Sequence, residues 1–262
     1  MKVLIVGDVV GKSGLKKLGE IVPEYIINNN IDFCIVNGEN SANGKGLRNK
    51  EYEEILNYGA NCITMGNHLY YRKEMATEYK NLPHLIIPAN VTNIDGNRYY
   101  IEEKNGIKYG VINLIGRAEM GPLFENNTKN PFHVADEIIS KLNEVGVDYI
   151  FVDFHAEASA EKIAMGYYLN GRVSCVFGTH THVQTADEII FESGTAYITD
   201  IGMTGPKDSV IGLKKEVALE RFVEEKYAKY LCSENDGILN GIEIEFDDSK
   251  KVAICIRRVQ VD

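Results

Sequence analysis

Closely spaced cysteines are absent from this sequence. Its five cysteines are scattered, and no two of them form a CxxC pair. Because a zinc site built from thiolates needs such pairs, this pattern disfavours that kind of site. Several of the cysteines lie inside apolar runs, which predicts buried thiols and a protein of the reducing cytoplasm. The five are Cys34, Cys62, Cys175, Cys232 and Cys255.

Positive charge is scarce as well. Lysine and arginine together number 28 against 38 acidic residues, so the formal net charge is -10 and the pI is near 5.2. Long nucleic acids are bound through patches of lysine and arginine, so no long nucleic acid is expected as a partner. A small anionic substrate stays compatible with this charge if bound cations supply positive charge locally.

The sequence also lacks apolar runs long enough to cross a bilayer, which predicts no membrane association. The first stretch, MKVLIVGDVVGKSG, has a short apolar run followed by Asp8 and glycines, and we interpret it as a strand and turn rather than a signal peptide. Repeats, low-complexity segments and linker-like stretches are missing too. We therefore predict one domain that covers residues 1–262.

Apolar runs and amphipathic stretches alternate along the chain, which predicts an α/β fold with a mainly parallel central sheet. The later runs lie closer together and favour mixed or antiparallel strands. We expect a terminal hairpin that turns at Asp247–Lys250, and a first helix that begins near Gly11 and is perturbed at Pro23. The predicted strands are KVLIVG, FCIVNG, NCITMGN, LIIPAN, YGVINLIG, YIFVDFH, SCVFGTH and TAYITDIG, and the amphipathic stretches include GLKKLGEIVPEYIINN, NKEYEEILNYGA and YRKEMATEYKN.

Polar side chains that can bind metals follow several of these apolar runs. In an open α/β sheet, sites form outside the carboxyl ends of the strands, so we expect these side chains to converge. Glycines close to them would permit tight turns and close approach. Imidazole, carboxylate and amide oxygen together suit iron, manganese or zinc, and the number of groups is sufficient for two ions. The residues are Asp8, Glu39, Asn40, Asn67, His68, His155, His180 and His182.

The GTHTH segment places His180 and His182 one residue apart behind a strand. In extended chain, side chains at i and i+2 point to the same side, so we expect both imidazoles to face one point. From the residues alone, they could bind metal, act as acid and base, or belong to a loop without a chemical role.

Taken singly, each of these residues has an ordinary structural explanation. A lone Asp after a strand is usually a turn or N-cap residue, and a lone His more often lies in the core or on the surface. His84 and His133 keep that explanation because no strand end positions them. The segment GDVVGKS is one residue too short for a phosphate-binding P-loop.

In chain order, the motifs resemble those of the calcineurin-like metallophosphoesterases, and most closely the YmdB-type bacterial branch. The similarity covers nearly the whole chain. Val10 stands where the wider superfamily has a histidine, and Glu39 and Asn40 follow Gly38; the branch shares both departures. After GNH, this chain has Leu69-Tyr70-Tyr71, which affects the expected rim of the pocket and therefore the substrate. The motifs are GDVVGKSG, NGENSANGKG, ITMGNH, GTHTHVQTAD and YITDIGMTGP.

The resemblance implies a metallophosphoesterase-like sandwich of two mixed β-sheets flanked by helices. It also implies two metal ions per chain, with iron placed ahead of manganese, that share Glu39. One ion would take Asp8, Glu39, Asn40 and His182, and the other Glu39, Asn67, His155 and His180. His68 would remain free as the general acid.

The activity implied is hydrolysis of small phosphodiesters, notably 2′,3′-cyclic nucleotides to 3′-nucleotides. A phosphomonoesterase or an RNase could use the same centre, and a non-catalytic metal-dependent regulatory module is a further alternative. Asp200 ends another strand and either orients a ligand histidine or is a turn residue. A homo-oligomer is left open.

Overall fold

The apolar runs form the strands of two mixed β-sheets in the computed structural model, which describes residues 1–262. The strands are β1 (Lys2–Val6), β2 (Asp8–Val9), β3 (Phe33–Asn37), β4 (Cys62–Thr64), β5 (Leu85–Ile86), β6 (Tyr99–Lys104), β7 (Ile107–Ile115), β8 (Tyr149–His155), β9 (Cys175–Thr179), β10 (Ile189–Ile190), β11 (Ala196–Ile198), β12 (Met203–Pro206), β13 (Gly237–Asp247) and β14 (Val252–Val261). The helices are α1 (Gly11–Asn29), α2 (Asn49–Asn57), α3 (Pro122–Asn127), α4 (Pro131–Glu144), α5 (Ser159–Leu169) and α6 (Lys215–Phe222).

The first sheet has the strand order β2-β12-β13-β1-β3-β4-β5, and β14 pairs with β13. Within it, β1, β3, β4 and β5 are parallel neighbours, whereas β13 is antiparallel to β1. The second sheet has the order β10-β11-β9-β8-β7-β6, with β7, β8, β9 and β11 parallel. Parallel neighbours end at the same edge, so polar residues that follow them are brought together.

Successive side chains along a strand belong to two different apolar cores, one on each face of the sheet. In β1, Val3 and Ile5 belong to the core between the sheets, whereas Leu4 and Val6 belong to the core beneath the first helices. Successive side chains of a strand point to opposite faces, so a fully apolar strand is buried on both sides. Phe33 of the first sheet stacks on Tyr109 of the second, with ring centroids 4.4 Å apart.

Helices cover the outer face of each sheet. Leu15, Leu18 and Val22 of α1 pack in the outer core of the first sheet. Ile138 of α4 and Met165 of α5 pack against the second sheet. The expected sandwich of two mixed sheets flanked by helices is therefore confirmed. None of the helices is long and apolar enough to span a membrane.

Two local predictions differ from the structure. The stretch YRKEMATEYKN forms short 3₁₀ turns at Lys73–Met75 and Tyr79–Asn81 instead of an amphipathic helix. Buried Met75 and Tyr79 anchor it, and the Tyr79 hydroxyl donates to the Leu69 carbonyl at 2.9 Å. Helix α1 begins at Gly11 as predicted but continues through Pro23 without a break, because its buried apolar face packs on both sides of the proline.

Candidate metal centre

The polar residues at the carboxyl ends of the parallel strands converge where these ends of the two sheets meet. Asp8 follows β1, Glu39 and Asn40 follow β3, and Asn67 and His68 follow β4. The second sheet contributes His155, the last residue of β8, and His180 and His182, which follow β9. Asp8, Glu39, Asn40 and His155 are fully buried. All eight predicted residues lie in one connected group; the other members are Asn67, His68, His180 and His182.

Glu39 lies at the centre of this group. Its Oε1 accepts a hydrogen bond from the Asn40 amide at 2.9 Å and lies 3.4 Å from His155 Nε2. The same oxygen is 3.3 Å from His68 Nδ1, and Oε2 accepts from the His68 backbone N–H at 3.1 Å. The Glu39 carboxylate therefore contacts Asn40, His68 and His155 at once.

On one side of Glu39, three side chains surround the His155 ring. Its Nε2 lies 2.9 Å from Asn67 Oδ1 and 3.1 Å from His180 Nδ1. Ligand atoms of Glu39, His155 and His180 lie within 4.8 Å of one another. Their spacing and their donor types form a candidate metal-binding cluster.

On the other side of Glu39, His182 faces Asp8 and Asn40. His182 Nε2 lies 3.0 Å from the Asn40 amide nitrogen and 3.9 Å from Asp8 Oδ1. Its Nδ1 lies 2.9 Å from the Ile211 carbonyl oxygen, to which it donates as N–H. This bond selects the tautomer whose Nε2 lone pair faces Asp8 and Asn40, as ligand histidines require.

The backbone of GTHTH is not extended at the histidines, so the prediction from i and i+2 spacing was wrong in its geometry. Strand β9 ends at Thr179, and His180 and His182 have φ of 101° and 66°. Non-glycine residues rarely adopt such angles, and they do so where surrounding contacts compensate the strain. The turn directs His180 towards His155 and His182 towards Asp8, on opposite sides of Glu39.

Two observations test whether cations fit here. Asp8 Oδ1 is buried and has no hydrogen-bond partner, which is costly for a carboxylate oxygen. Gly66 leaves room at the centre, since a methyl group there would lie 2.3 Å from both Glu39 Oε2 and His155 Nε2. A buried space lined by carboxylate and amide oxygens, one of them unpaired, and by imidazole nitrogens is chemically suited to a divalent cation.

The pKa values of the clustered side chains agree with a site suited to cations. Burial raises the pKa of Asp8 well above its usual range, because the charged form lacks sufficient positive charge nearby. Burial also opposes ionisation of Glu39, but His155 and His68 outweigh it and hold the Glu39 pKa well below its usual range. Burial lowers the pKa of His155, yet Glu39 and Asp8 raise it overall to about 9. Burial and the neighbouring His155 lower the pKa of His180 to about 3.

Sequence patterns missed the residues that orient His155. Thr179 Oγ1 accepts from His155 Nδ1 at 2.9 Å and donates to Asp153 Oδ1 at 2.7 Å. Asp153 also accepts from Thr64 and Asn37 and is fully buried. These hydrogen bonds, from Asp153 through Thr179 to His155 Nδ1, leave His155 Nε2 directed at Glu39. An aspartate inside the apolar run YIFVDFH was the available signal, because a buried carboxylate needs partners.

Asp200 does not contact a histidine directly. Its Oδ2 accepts from Lys162 Nζ at 2.7 Å and from the backbone N–H and hydroxyl of Thr181 at 3.1 and 2.7 Å. Thr181 lies between His180 and His182, so Asp200 acts on the histidines through the turn. Lys162, also missed from the sequence, is buried on α5 and supplies the charge that Asp200 needs.

A cleft of about 420 Å³ opens beside the cluster and is lined by Glu39, Asn67, His68, His180 and His182 together with more peripheral side chains. This volume lies within the ordinary range for small-molecule sites.

In the 69–71 segment, Leu69 is buried, Tyr70 packs on Phe124, and Tyr71 is 55% exposed beside His68. His84 lies elsewhere, bonded to Asn61 and Tyr100.

The family model described as YmdB-like protein matches residues 4–259. A Bacillus subtilis protein named 2′,3′-cyclic-nucleotide 2′-phosphodiesterase is 43% identical over 263 residues, which cover all of this chain and 97% of the relative. A Mycoplasma pneumoniae structure described as a novel phosphatase has a TM-score of 0.92 and 36% identity, covering 100% and 93% of the two chains. A Thermus thermophilus structure has a TM-score of 0.90 and 32% identity, covering 99% and 98%. The chain therefore belongs to the YmdB-like family, with its metallophosphoesterase-type fold.

Proposed function

We propose that this protein is a dinuclear-metal phosphodiesterase that hydrolyses small phosphodiesters, and 2′,3′-cyclic nucleotides to 3′-nucleotides in particular. The observation that carries the proposal is the position of His68, which adjoins the Glu39 cluster and lines the cleft. The name of the Bacillus subtilis relative supports the choice of substrate, since the similarity extends over the whole chain. A metal-binding module without catalysis would not need a proton donor at this position.

Each ion would be held by one of the two groups of side chains that share Glu39. Asp8, Asn40 and His182 would complete the first group, and Asn67, His155 and His180 the second. The distances between Asp8 and His182, and among Asn67, His155 and His180, support this division. Mixed nitrogen and oxygen donors without thiolate suit iron, manganese or zinc, and the family resemblance places iron ahead of manganese. Bound there, the ions would polarise the phosphoryl group and acidify a water nucleophile.

His68 would donate the proton that the leaving 2′-oxygen needs. Its Nδ1 lies 2.6 Å from Asn40 Oδ1, to which it donates as N–H, and its ring is partly exposed to the cleft. Nε2 is then the nitrogen that would face the substrate, and it must carry the second ring proton for His68 to act as the acid. A positioned general acid accelerates loss of a basic leaving group by about 10²- to 10⁴-fold. Asn40 would orient this donor as well as one ion.

The proposal is tested by turnover of 2′,3′-cyclic AMP with protein whose metal content has been measured. Purification without chelators, followed by elemental analysis, should give about two ions per chain, as a dinuclear site requires. Metal-loaded protein should form 3′-AMP, and removal of the ions should abolish the reaction. Full metal occupancy without turnover would reject the activity.

Two further substrates, compared with 2′,3′-cyclic AMP, distinguish this activity from phosphomonoesterase and RNase activity. Adenosine 3′-monophosphate should be hydrolysed much more slowly than the cyclic nucleotide, because a phosphomonoesterase would release adenosine. An oligoribonucleotide without a cyclic end should stay intact, whereas an RNase would cut its internal bonds. A cytoplasmic location and the oligomeric state stay predictions, which cell fractionation and light scattering would address.

A further inference from the structure

A large basic groove lies next to the metal cleft. The groove has a volume of about 1060 Å³, and Lys45, Arg221 and Tyr230 line both it and the cleft, so the two are continuous. It is larger than a single nucleotide needs, since small-molecule sites range from roughly 300 to 1,000 Å³. Its basic side chains are Lys12, Lys45, Arg72, Lys214, Arg221 and Lys229.

The charge of this groove is opposite to that of the whole chain. Six basic side chains and one acidic side chain, Glu234, line it, whereas the formal net charge of the protein is -10. Only Lys12 among the six forms a salt bridge, with Glu234 at 3.0 Å. Five cations are therefore left without an acidic partner in the protein; Arg72 and Arg221 also donate to backbone carbonyls, whereas the three lysines do not. Such a concentration of positive charge attracts phosphates.

Tyrosines line the same groove as these cations, and two of them are well exposed. Tyr71 is 55% exposed and Tyr227 is 96% exposed, although large aromatic side chains are usually packed. The Lys45 ammonium lies 5.2 Å from the centre of the Tyr71 ring and 4.9 Å from that of Tyr230. Aromatic faces set between cations form the usual platform on which the bases of a single strand stack.

We propose that the groove binds the nucleotides that precede a 3′-terminal 2′,3′-cyclic phosphate, so that the preferred substrate class is short single-stranded oligoribonucleotides with that end. This inference rests on the proposed function and extends it. The cyclic end would enter the metal cleft, and the preceding phosphates would lie against the groove cations that lack an acidic partner. Bases would stack on Tyr71 and Tyr227.

The test compares 2′,3′-cyclic UMP with a hexauridylate that ends in a 2′,3′-cyclic phosphate, using metal-loaded protein. The variant Lys214→Glu/Lys229→Glu changes two side chains that line the groove but not the cleft. The matched control is Lys129→Glu/Lys141→Glu, which alters the net charge equally at exposed lysines outside both. The groove variant should raise KM for the hexamer at least tenfold, while kcat/KM for cyclic UMP stays within twofold of the control.

Salt dependence and stacking give independent readouts. Because each phosphate contact on a single strand contributes about 0.7 to the slope of log affinity against log salt, the groove variant should reduce that slope by about 1.4. Tyr227→Ala removes a side chain with little packing and should weaken hexamer binding by roughly tenfold. Equal effects on both substrates, or on groove and control variants, would overturn the inference.

A binding measurement keeps the inference separate from the proposed activity. Fluorescence anisotropy with labelled hexauridylate 3′-phosphate needs no turnover. Tighter binding of the hexamer than of uridine 3′-monophosphate, lost in the groove variant, would support the groove even if cyclic UMP were not hydrolysed. Equally tight binding of polyglutamate would show an unspecific polyanion surface and contradict nucleotide recognition.

Discussion

At the scale of single residues, chemical role depends on which atoms are already occupied. Asn40 contacts Glu39, His68 and His182 at once, so its amide links the general acid that we propose to the metal site. His68 and His182 both line the cleft, but His182 has partners at both ring nitrogens, whereas His68 has partners only at Nδ1. We propose that these hydrogen bonds set the difference between ligand and acid.

His68→Ala should retain both metal ions and near-native stability while kcat on 2′,3′-cyclic AMP falls by about 10²- to 10⁴-fold. The loss should be much smaller on bis(p-nitrophenyl) phosphate, whose nitrophenolate leaving group needs no proton. Elemental analysis and the two kcat values are the measurements. His133→Ala removes an exposed histidine outside the site and serves as the control. Loss of one ion would instead make His68 a ligand.

Glu39→Ala should remove both ions and all activity, because its carboxylate contacts both groups of side chains. Asp8→Ala should affect the ion beside His182 more than its neighbour. Glu51→Gln is the control for removal of a buried carboxylate, since Glu51 pairs with Arg48 away from the cluster. It should retain about two ions per chain. Two ions retained in Glu39→Ala would refute a bridging role.

At the scale of elements, the site depends on turns that follow parallel strands. Gly7, Gly66 and Gly178 occupy places where a Cβ would lie 1.8 to 2.3 Å from neighbouring atoms. Strands can therefore approach closely at the edge that holds the ligands. The GTHTH turn adds two residues with positive φ, and its contacts with Asp8, Asp200 and Ile211 hold that conformation.

Lys162→Met should lower the free energy of unfolding by about 3–5 kcal/mol, because it leaves the Asp200 carboxylate buried without its charged partner. The double variant Lys162→Met/Asp200→Asn should recover part of that loss, since neither charge then remains. Urea denaturation of the metal-free proteins measures both values. If the double variant were as unstable as the sum of the single ones, the pair would not be coupled.

At the scale of the whole molecule, aromatic rings join the two sheets. Phe151 of β8 lies 6.4 Å from Phe33 and 5.9 Å from Phe246 between ring centroids, and both partners belong to the first sheet. Residues from both sheets also build the candidate metal site. Packing and site formation therefore depend on the same arrangement, which is the basis for expecting one domain over residues 1–262.

Phe151→Ala should lower stability by about 3–5 kcal/mol and shift a single calorimetric transition to lower temperature. If residues 1–262 form one domain, both sheets unfold together, so native protein and variant each show one transition. Added metal should raise the transition temperature of both, because only folded protein has the site. Two separate transitions, with only one shifted by the substitution, would contradict a single domain.

Much of this protein could be predicted from the sequence by itself. Apolar runs specify strands, and their spacing specifies an α/β fold, because side-chain periodicity acts locally. Ligand types at strand ends predict a metal-binding site, and the structure brings these residues together because parallel strands end at a common edge. Start signals such as Gly11 also act locally, and they were confirmed. The short turns at residues 73–81 were not predicted, because their buried anchors contact distant residues.

Only the tertiary structure decided which partners each polar residue meets. The aspartate in YIFVDFH signals that a buried carboxylate needs partners, but not that Asp153 orients His155 through Thr179, and no local signal shows that Lys162 from α5 pairs with Asp200. The basic groove likewise combines side chains from residues 12 to 234, which a chain with net charge -10 does not reveal. Composition averages charge over the whole chain, whereas binding depends on charges that folding places within a few ångströms of each other.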